Sequence, residues 1–290
     1  MIQDIQPKKL RNEYDPNVKV SDEDFVFIFN DLGVLNKINN AGNHIFPRYK
    51  ELTKEEGFNN DAENYTYLFK IDDEKYFLYD EPFSELDISE RFLKEYAFTS
   101  VRDVRYDKDV SKEEFFALST AVHLNHWYTA NRYCGHCGSH TVKDTKERAL
   151  KCTNCGNIIY PKICPAVIVG VTNKDKILIT KYARGFAHYA LVAGFTEIGE
   201  TLEETVQREV MEETGLLVKN IRYYKSQPWG VADDLLAGFY CDVDGDDNIK
   251  MDENELKLAA WYKREDIILQ PDDYSLTNEM MQEFKEGRDH

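Results

Sequence analysis

The sequence predicts an α+β protein built from three consecutive parts, and three observations carry that reading. Aromatic and branched runs dominate the chain up to Thr129, two C-x-x-C pairs bracket residues 134–155, and residues 161–290 alternate strand-like with helical runs. The expected parts are a strand-rich N-terminal domain over 1–129, a cysteine-bounded module over 130–160 and a C-terminal domain over 161–290. A chain of 290 residues, 42% of them hydrophobic, is long enough to give each larger part its own core.

In the first part, Phe25 to Phe29 (FVFIF) and Tyr65 to Tyr79 (YTYLFKIDDEKYFLY) read as strands, with Asn39-Asn40-Ala41-Gly42-Asn43 as a turn between them. Glu113 to Tyr128 has helical spacing, with Phe116, Ser119, Thr120, His123 and Trp127 on or near one stripe. No catalytic constellation falls here, so scaffold or dimerisation is the expected role. Beyond the cysteines, Ala166 to Val171 reads as a strand, and helices are expected over 201–214 and about 274–286.

Composition narrows the function classes. The formal net charge of −17 repels phosphate backbones and argues against general nucleic-acid binding. A small anionic substrate stays open, because a bound metal inverts the local field. The opening MIQDIQPKKL lacks the apolar core of an export signal, and no run approaches the ~20 apolar residues of a membrane span. The expected location is therefore cytoplasmic, with no membrane partner.

Of six cysteines, Cys134, Cys137, Cys152 and Cys155 form two matched C-x-x-C pairs, with Gly138 to Lys151 between them. Four thiolates on two tight knuckles suit tetrahedral Zn²⁺, and Gly138 and Gly156 follow the second cysteine of each pair to ease the turn. Four sulfur ligands leave no open position, so the zinc is structural. His136 and His140 read as exposed loop histidines, and Cys164 and Cys241 as buried, inert thiols.

The chemistry is concentrated between Gly194 and Leu216. Thr201 and Glu204 form a capping box that starts a helix, and Gly215 stops it. Glu209 stands three residues before Glu212 and four before Glu213, so all three are expected on one face. Two such carboxylates ~5 Å apart repel by roughly 3 kcal/mol at an effective dielectric near 20. Clustering them makes sense around a hard cation such as Mg²⁺ or Mn²⁺. An isolated E-x-x-E would be read as a solvated acidic face. Here Gly194, Glu200, Arg208-Glu209-Val210, Glu212-Glu213 and Gly215-Leu216 hold one fixed set of spacings along the whole segment.

That pattern resembles the Nudix box at every defined position. The resemblance implies a mixed sheet sandwiched between helices, with Glu209, Glu213 and the Ala193 carbonyl as metal ligands. It also implies Glu212 as a direct or water-mediated helper, Glu200 and Arg208 as supports, and Glu255, six residues before Trp261, as a further metal-binding acid. The order of parts is similar to the NADH pyrophosphatases. His126-Trp127, Arg132 to Gly138, Tyr160-Pro161, Leu191 to Phe195 and Ser226-Gln227-Pro228-Trp229 carry that likeness, which covers about residues 120–290.

It implies hydrolysis of the diphosphate of NAD(H) to AMP and nicotinamide mononucleotide, in a homodimer. Tyr160, Phe195, Gln227, Trp229, Asp234 and Thr277 are the candidate substrate contacts. After Trp229 the chain departs from the family: Gly230-Val231-Ala232-Asp233-Asp234 stands where Pro-Phe-Pro-x-Ser is usual. A more mobile pocket rim with weaker preference for NADH is therefore expected. The alternatives are another nucleoside diphosphate derivative (ADP-ribose or a diadenosine polyphosphate), NAD-capped RNA, or a sensor that binds nucleotides without turnover.

Overall fold

A computed structural model describes residues 1–38, 44–55 and 57–289; the turn expected at Asn39 to Asn43 lies outside the described residues. The chain divides into two compact units. One comprises Met1–Gln3, Ile163–Trp229 and Asp234–His290; the other comprises Asp4–Lys162 and Gly230–Asp233. The N-terminal part and the cysteine module thus cluster together. Among the described residues, no helix is long and apolar enough to cross a membrane.

The C-terminal unit is a helix–sheet–helix sandwich. Its six-stranded sheet runs Val218–Trp229, Asp234–Val243, Cys164–Asn173, Lys176–Tyr182 and Leu256–Lys263, with Val192–Phe195 also paired to Cys164–Asn173. Cys164–Asn173 and Asp234–Val243 pair in parallel, and the other pairings are antiparallel, so the sheet is mixed. The two-residue period of a strand sends successive side chains to opposite faces. Val167, Val169 and Val171 accordingly pack with Val206 and Val210 of the helix Leu202–Thr214. Ile168 packs on the other side with Leu276, Met280 and Phe284 of the helix Leu276–Lys285. Each fully buried Val, Leu or Phe contributes on the order of 1.5–3 kcal/mol, so both layers are fixed by apolar burial.

The other unit holds the strand-rich region. Tyr65–Ile71 and Glu74–Tyr79 form a hairpin whose turn uses Asp72 at φ 50°, and Leu10–Arg11 and Phe25–Phe27 complete that sheet. The expected strand FVFIF is split into Phe25–Phe27 and Phe29–Asn30, which belong to different sheets. The helix Lys112–Ala130 starts at a capping box of Ser111 and Glu114. The cysteine module is a three-stranded sheet, with Leu150–Cys152 between Thr141–Lys143 and Ile158–Ile159.

Candidate metal centre and zinc site

The helix Leu202–Thr214 carries the carboxylates. The Thr201 hydroxyl accepts the Glu204 N–H while the Glu204 carboxylate accepts the Thr201 N–H, and Gly215 ends the helix at φ 69°. Both features follow from local sequence, as expected.

Arg208 organises this end of the site. Its Nε and Nη2 grip Glu200 at 2.6 and 2.9 Å, Nη1 donates to Glu209 at 2.8 Å and Glu212 at 3.0 Å, and Nη2 also donates to the Phe195 carbonyl at 2.8 Å. One planar guanidinium thereby fixes the loop before the helix to the helix itself. The Arg208 hydrogen bonds hold the Glu200 carboxyl down to about 2.

The three helix glutamates do not share one environment. Glu213 is 2% exposed and Glu209 partly buried, whereas the Glu212 side chain is 60% exposed and turned to Arg208. Residues four apart superpose on a helix, but residues one apart differ by about 100°, so Glu212 leaves the face that Glu209 and Glu213 share. The sequence did contain this signal. Val206, Val210 and Glu213 follow i, i+4, i+7, so Glu213 continues the apolar stripe.

Glu213 Oε2 is buried with no hydrogen-bond partner, while the Ala193 backbone N–H bonds the same carboxylate. Burial, then the nearby Glu209 and Glu255, push its carboxyl up to about 8. Burial likewise raises Glu209. Tyr182, which the sequence reading did not single out, is raised by burial and by the charges of Glu213, Glu209 and Glu255. It joins them because Tyr182 pairs with Leu256 across the sheet and the Ala183 N–H bonds the Glu255 carbonyl. Tyr182 and Glu255 are far apart along the chain, so their proximity has no local sequence signal.

An orphaned carboxylate oxygen among other carboxylates fits a hard cation with oxygen ligands. Glu209, Glu213 and Glu255 would hold it.

Gly194 makes room for this arrangement. A Cβ there would lie 2.0 Å from the Glu209 carboxylate carbon and Oε1. Gly194→Ala is expected to push that flexible carboxylate aside at little cost to the fold. Divalent-cation affinity should fall at least ~10-fold while Tm drops by only a few degrees, ~1 kcal/mol or less. Wild-type Mn²⁺ affinity in calorimetric titration of the variant would refute this.

The raised Glu213 carboxyl gives a second expectation, with its sign fixed. In the metal-free chain this group is protonated below about pH 8 and a carboxylate above it. A cation needs the carboxylate, so binding at neutral pH releases a proton. Apparent affinity should rise ~10-fold per pH unit up to about 8, then level off. Because the folded value is raised, the contribution of Glu213 to metal-free stability is present below about 4.5 and lost as pH climbs through about 8. Titrating Mn²⁺ at pH 7 in two buffers of different ionisation enthalpy counts the protons. A count of zero would contradict the assignment.

The four cysteines form the other site. Their sulfur atoms all lie within 4.8 Å of one another, with Cys134–Cys155 at 3.7 Å, Cys137–Cys152 at 3.4 Å and Cys137–Cys155 at 3.5 Å. A tetrahedron with Zn–S near 2.3 Å has edges of about 3.8 Å. Gly138 and Gly156 take φ 75° and 72°, and their N–H groups bond the Cys134 and Cys152 carbonyls, which closes both knuckles. Hydrogen bonds from Ser139 hold the Cys137 thiol down to about 5, which favours the thiolate. His136 and His140 are exposed. Cys241 is buried as expected and pushed up to about 12 by burial, but Cys164 is only half-buried, at the first residue of its strand.

The substrate candidates fare differently. Phe195 is 54% exposed and Trp229 half-buried. Tyr160 lies in the other unit, 55% exposed, its hydroxyl donating to Glu147. Thr277 is half-buried in the first turn of its helix, and Asp234 is 7% exposed at the start of its strand. Gln227 is corrected from substrate contact to strut. It is 0% exposed, its amide N donates to Tyr274 O and Gln3 Oε1, and its amide O accepts the Leu276 N–H at the helix start.

In the segment expected as a mobile rim, Gly230 and Asp233 meet the helix Lys112–Ala130. A Cβ on Gly230 would lie 2.1 Å from the Ser119 carbonyl oxygen, and His126 Nδ1 is 2.9 Å from Asp233 Oδ1. The first proline of the usual motif has no room at Gly230.

Two family matches cover the two sites. The family described as NUDIX domain matches residues 162–284, and that described as NADH pyrophosphatase zinc ribbon domain matches residues 130–160. The NAD-capped RNA hydrolase NudC of Haemophilus influenzae (strain PittGG) is 41% identical over 155 residues, covering 52% of this chain and 58% of that protein. Its counterpart in strain PittEE is 37% identical over 179 residues, covering 60% and 66%. The one in Actinobacillus succinogenes is 43% identical over 159 residues, covering 52% and 60%. The match therefore spans about three fifths of the length of these curated relatives. Among solved structures, a NUDIX hydrolase from Nitrosomonas europaea is similar at 20% identity and TM-score 0.47, covering 54% of this chain and 92% of that one.

Proposed function

The chain is a Nudix-domain protein carrying the zinc ribbon of the NADH pyrophosphatases, and from that premise we propose that it hydrolyses the diphosphate of NAD(H) to AMP and nicotinamide mononucleotide. The observation that carries this reading is the buried, partnerless Glu213 oxygen, whose carboxyl feels the charges of Glu209 and Glu255. Mg²⁺ or Mn²⁺ bound there would screen the diphosphate charge and activate a water.

The residues of the chain do the rest. Glu209 and Glu213 supply carboxylate oxygens for the ions, with the Ala193 carbonyl and Glu255 as further ligands. Arg208 holds Glu209 in place and, through Glu200, keeps the preceding loop on the helix. Glu212 stays solvated and available to water-mediated contacts. A carboxylate of this group takes the proton of the attacking water. The exposed ring of Phe195 and the indole of Trp229 offer stacking surfaces for a base. Asp234 and Thr277 remain candidate substrate contacts. We place the protein in the cytoplasm, as a homodimer.

A second reading, removal of an NAD cap from RNA, is favoured by the names of the relatives at 37–43% identity. A screen over NADH, NAD⁺, ADP-ribose, diadenosine polyphosphates and NAD-capped RNA, with product identification, tests both. No turnover on any of them with Mn²⁺ would leave a nucleotide-binding protein.

Discrimination is expected to be modest. Without the Pro-Phe-Pro wedge the nicotinamide side loses an apolar contact, worth about 1–3 kcal/mol. Relative to an enzyme that keeps the wedge, the preference in kcat/KM for NADH over ADP-ribose should therefore be ~10–200-fold smaller. An equal preference in the two enzymes would show that other residues set selectivity.

A further inference from the structure

The net charge of −17 is not evenly spread. Residues 130–162 carry Arg132, Lys143, Lys146, Arg148, Lys151 and Lys162 against only Asp144 and Glu147. Four thiolates around one Zn²⁺ add −2 formally, and the module still keeps a positive balance. A basic island on an acidic chain marks where a polyanion can approach.

The same module exposes stacking and apolar groups. Lys151 is paired with Val142 on one side and Ile158 on the other, so the three form a row across one sheet face. All three are exposed, Val142 at 52% and Ile158 at 47%, while Leu150 on the opposite face is buried. Tyr133 is 57% exposed, with its ring centroid 4.5 Å from that of His140. This pair sits at a cleft of 440 Å³, also lined by Asn125, Tyr128 and Arg132, and by Lys143, which is paired with Asp80 at 2.6 Å. Flat rings and aliphatic groups set among cations are what a single-stranded nucleic acid uses, bases stacking while phosphates meet the charges. A duplex hides its bases and would gain only the charge term.

We propose that this open face of the zinc ribbon, with the Tyr133–His140 cleft, binds the single-stranded RNA body of a capped substrate. The assignment rests on the RNA reading given above for the partner, but not on the hydrolytic chemistry. It also departs from the expectation drawn from net charge, because residues 130–162 hold more basic than acidic side chains.

The test is fluorescence anisotropy with an uncapped single-stranded RNA of about 12 nucleotides, without added Mg²⁺ or Mn²⁺, over a salt series. The wild-type chain should bind it more tightly than a duplex of equal length. Combining Lys146→Gln, Lys151→Gln and Lys162→Gln should weaken binding ~10-fold or more and lower the log–log salt slope by about 2. Tyr133→Ala should weaken binding ~10-fold with the slope unchanged. Unchanged zinc content shows that each variant is folded. NADH turnover of the lysine variant should equal wild type.

Binding untouched by the lysine changes overturns the proposal, as does equal affinity for the duplex. A change in oligomeric mass with RNA binding intact would assign the face to a second copy instead. Dinucleotide turnover without this RNA binding sinks the ribbon assignment alone. RNA binding as described, with no turnover on any dinucleotide, sinks only the hydrolytic reading.

Discussion

Glu213→Gln is expected to lower turnover at least ~100-fold, about 2.7 kcal/mol of transition-state stabilisation, while leaving the fold intact. Gln has nearly the shape of Glu, so the packing of a side chain that is 2% exposed survives. Its amide oxygen can still accept the Ala193 N–H that bonds Glu213. Its amide nitrogen supplies donors where Oε2 of Glu213 has no partner and where Glu209 and Glu255 bring negative charge. The metal-free variant should therefore be at least as stable as wild type above pH 8, where Glu213 must be a buried carboxylate. Cation binding suffers for the same reason, since a neutral amide is a poor ligand for a hard divalent ion. Turnover, Mn²⁺ affinity and Tm at two pH values check each link. More than about a tenth of wild-type kcat, a loss below ~1.4 kcal/mol, would sink the role of Glu213.

Stripping the zinc is expected to unfold the ribbon. Its strands are two or three residues long. Its buried groups are few, among them Cys134, Ala149, Leu150 and Cys152, while Val142 and Ile158 face solvent. Burial at ~25 cal/mol per Å² cannot hold so short a module, whereas zinc binding supplies on the order of 10 kcal/mol or more. The purified chain should contain one Zn²⁺ that Mg²⁺ does not displace, because thiolates suit the softer ion. A strong chelator should lower Tm and release four titratable thiols together. Protein without zinc, yet native and with all four thiols freely reactive, would refute the site.

Much of the two sites could be read from the sequence because their determinants are short-range. Thr201 and Glu204 cap one another, Gly215 takes the left-handed backbone, and the two knuckles close through Gly138 and Gly156. Even the burial of Glu213 could have been read from its stripe with Val206 and Val210. The mixed-sheet sandwich followed from the resemblance, and the alternation along Cys164–Asn173 shows its physical basis.

Only the tertiary structure decided the rest, because those outcomes depend on which distant groups meet. Gln227 became a strut because Gln3, Tyr274 and Leu276 converge on its amide. Tyr182 and Glu255 joined the helix carboxylates through strand pairing. Gly230 came to lie against the Ser119 carbonyl, where a Cβ has no room. By itself, then, the sequence determined the helix, its caps, the ligand spacing and the zinc knuckles, since a few neighbouring dihedrals and side chains set each of them. The tertiary structure decided which charge is buried without a partner and which polar group is already satisfied, since burial and hydrogen bonding are properties of assembled neighbours and not of spacing along the chain.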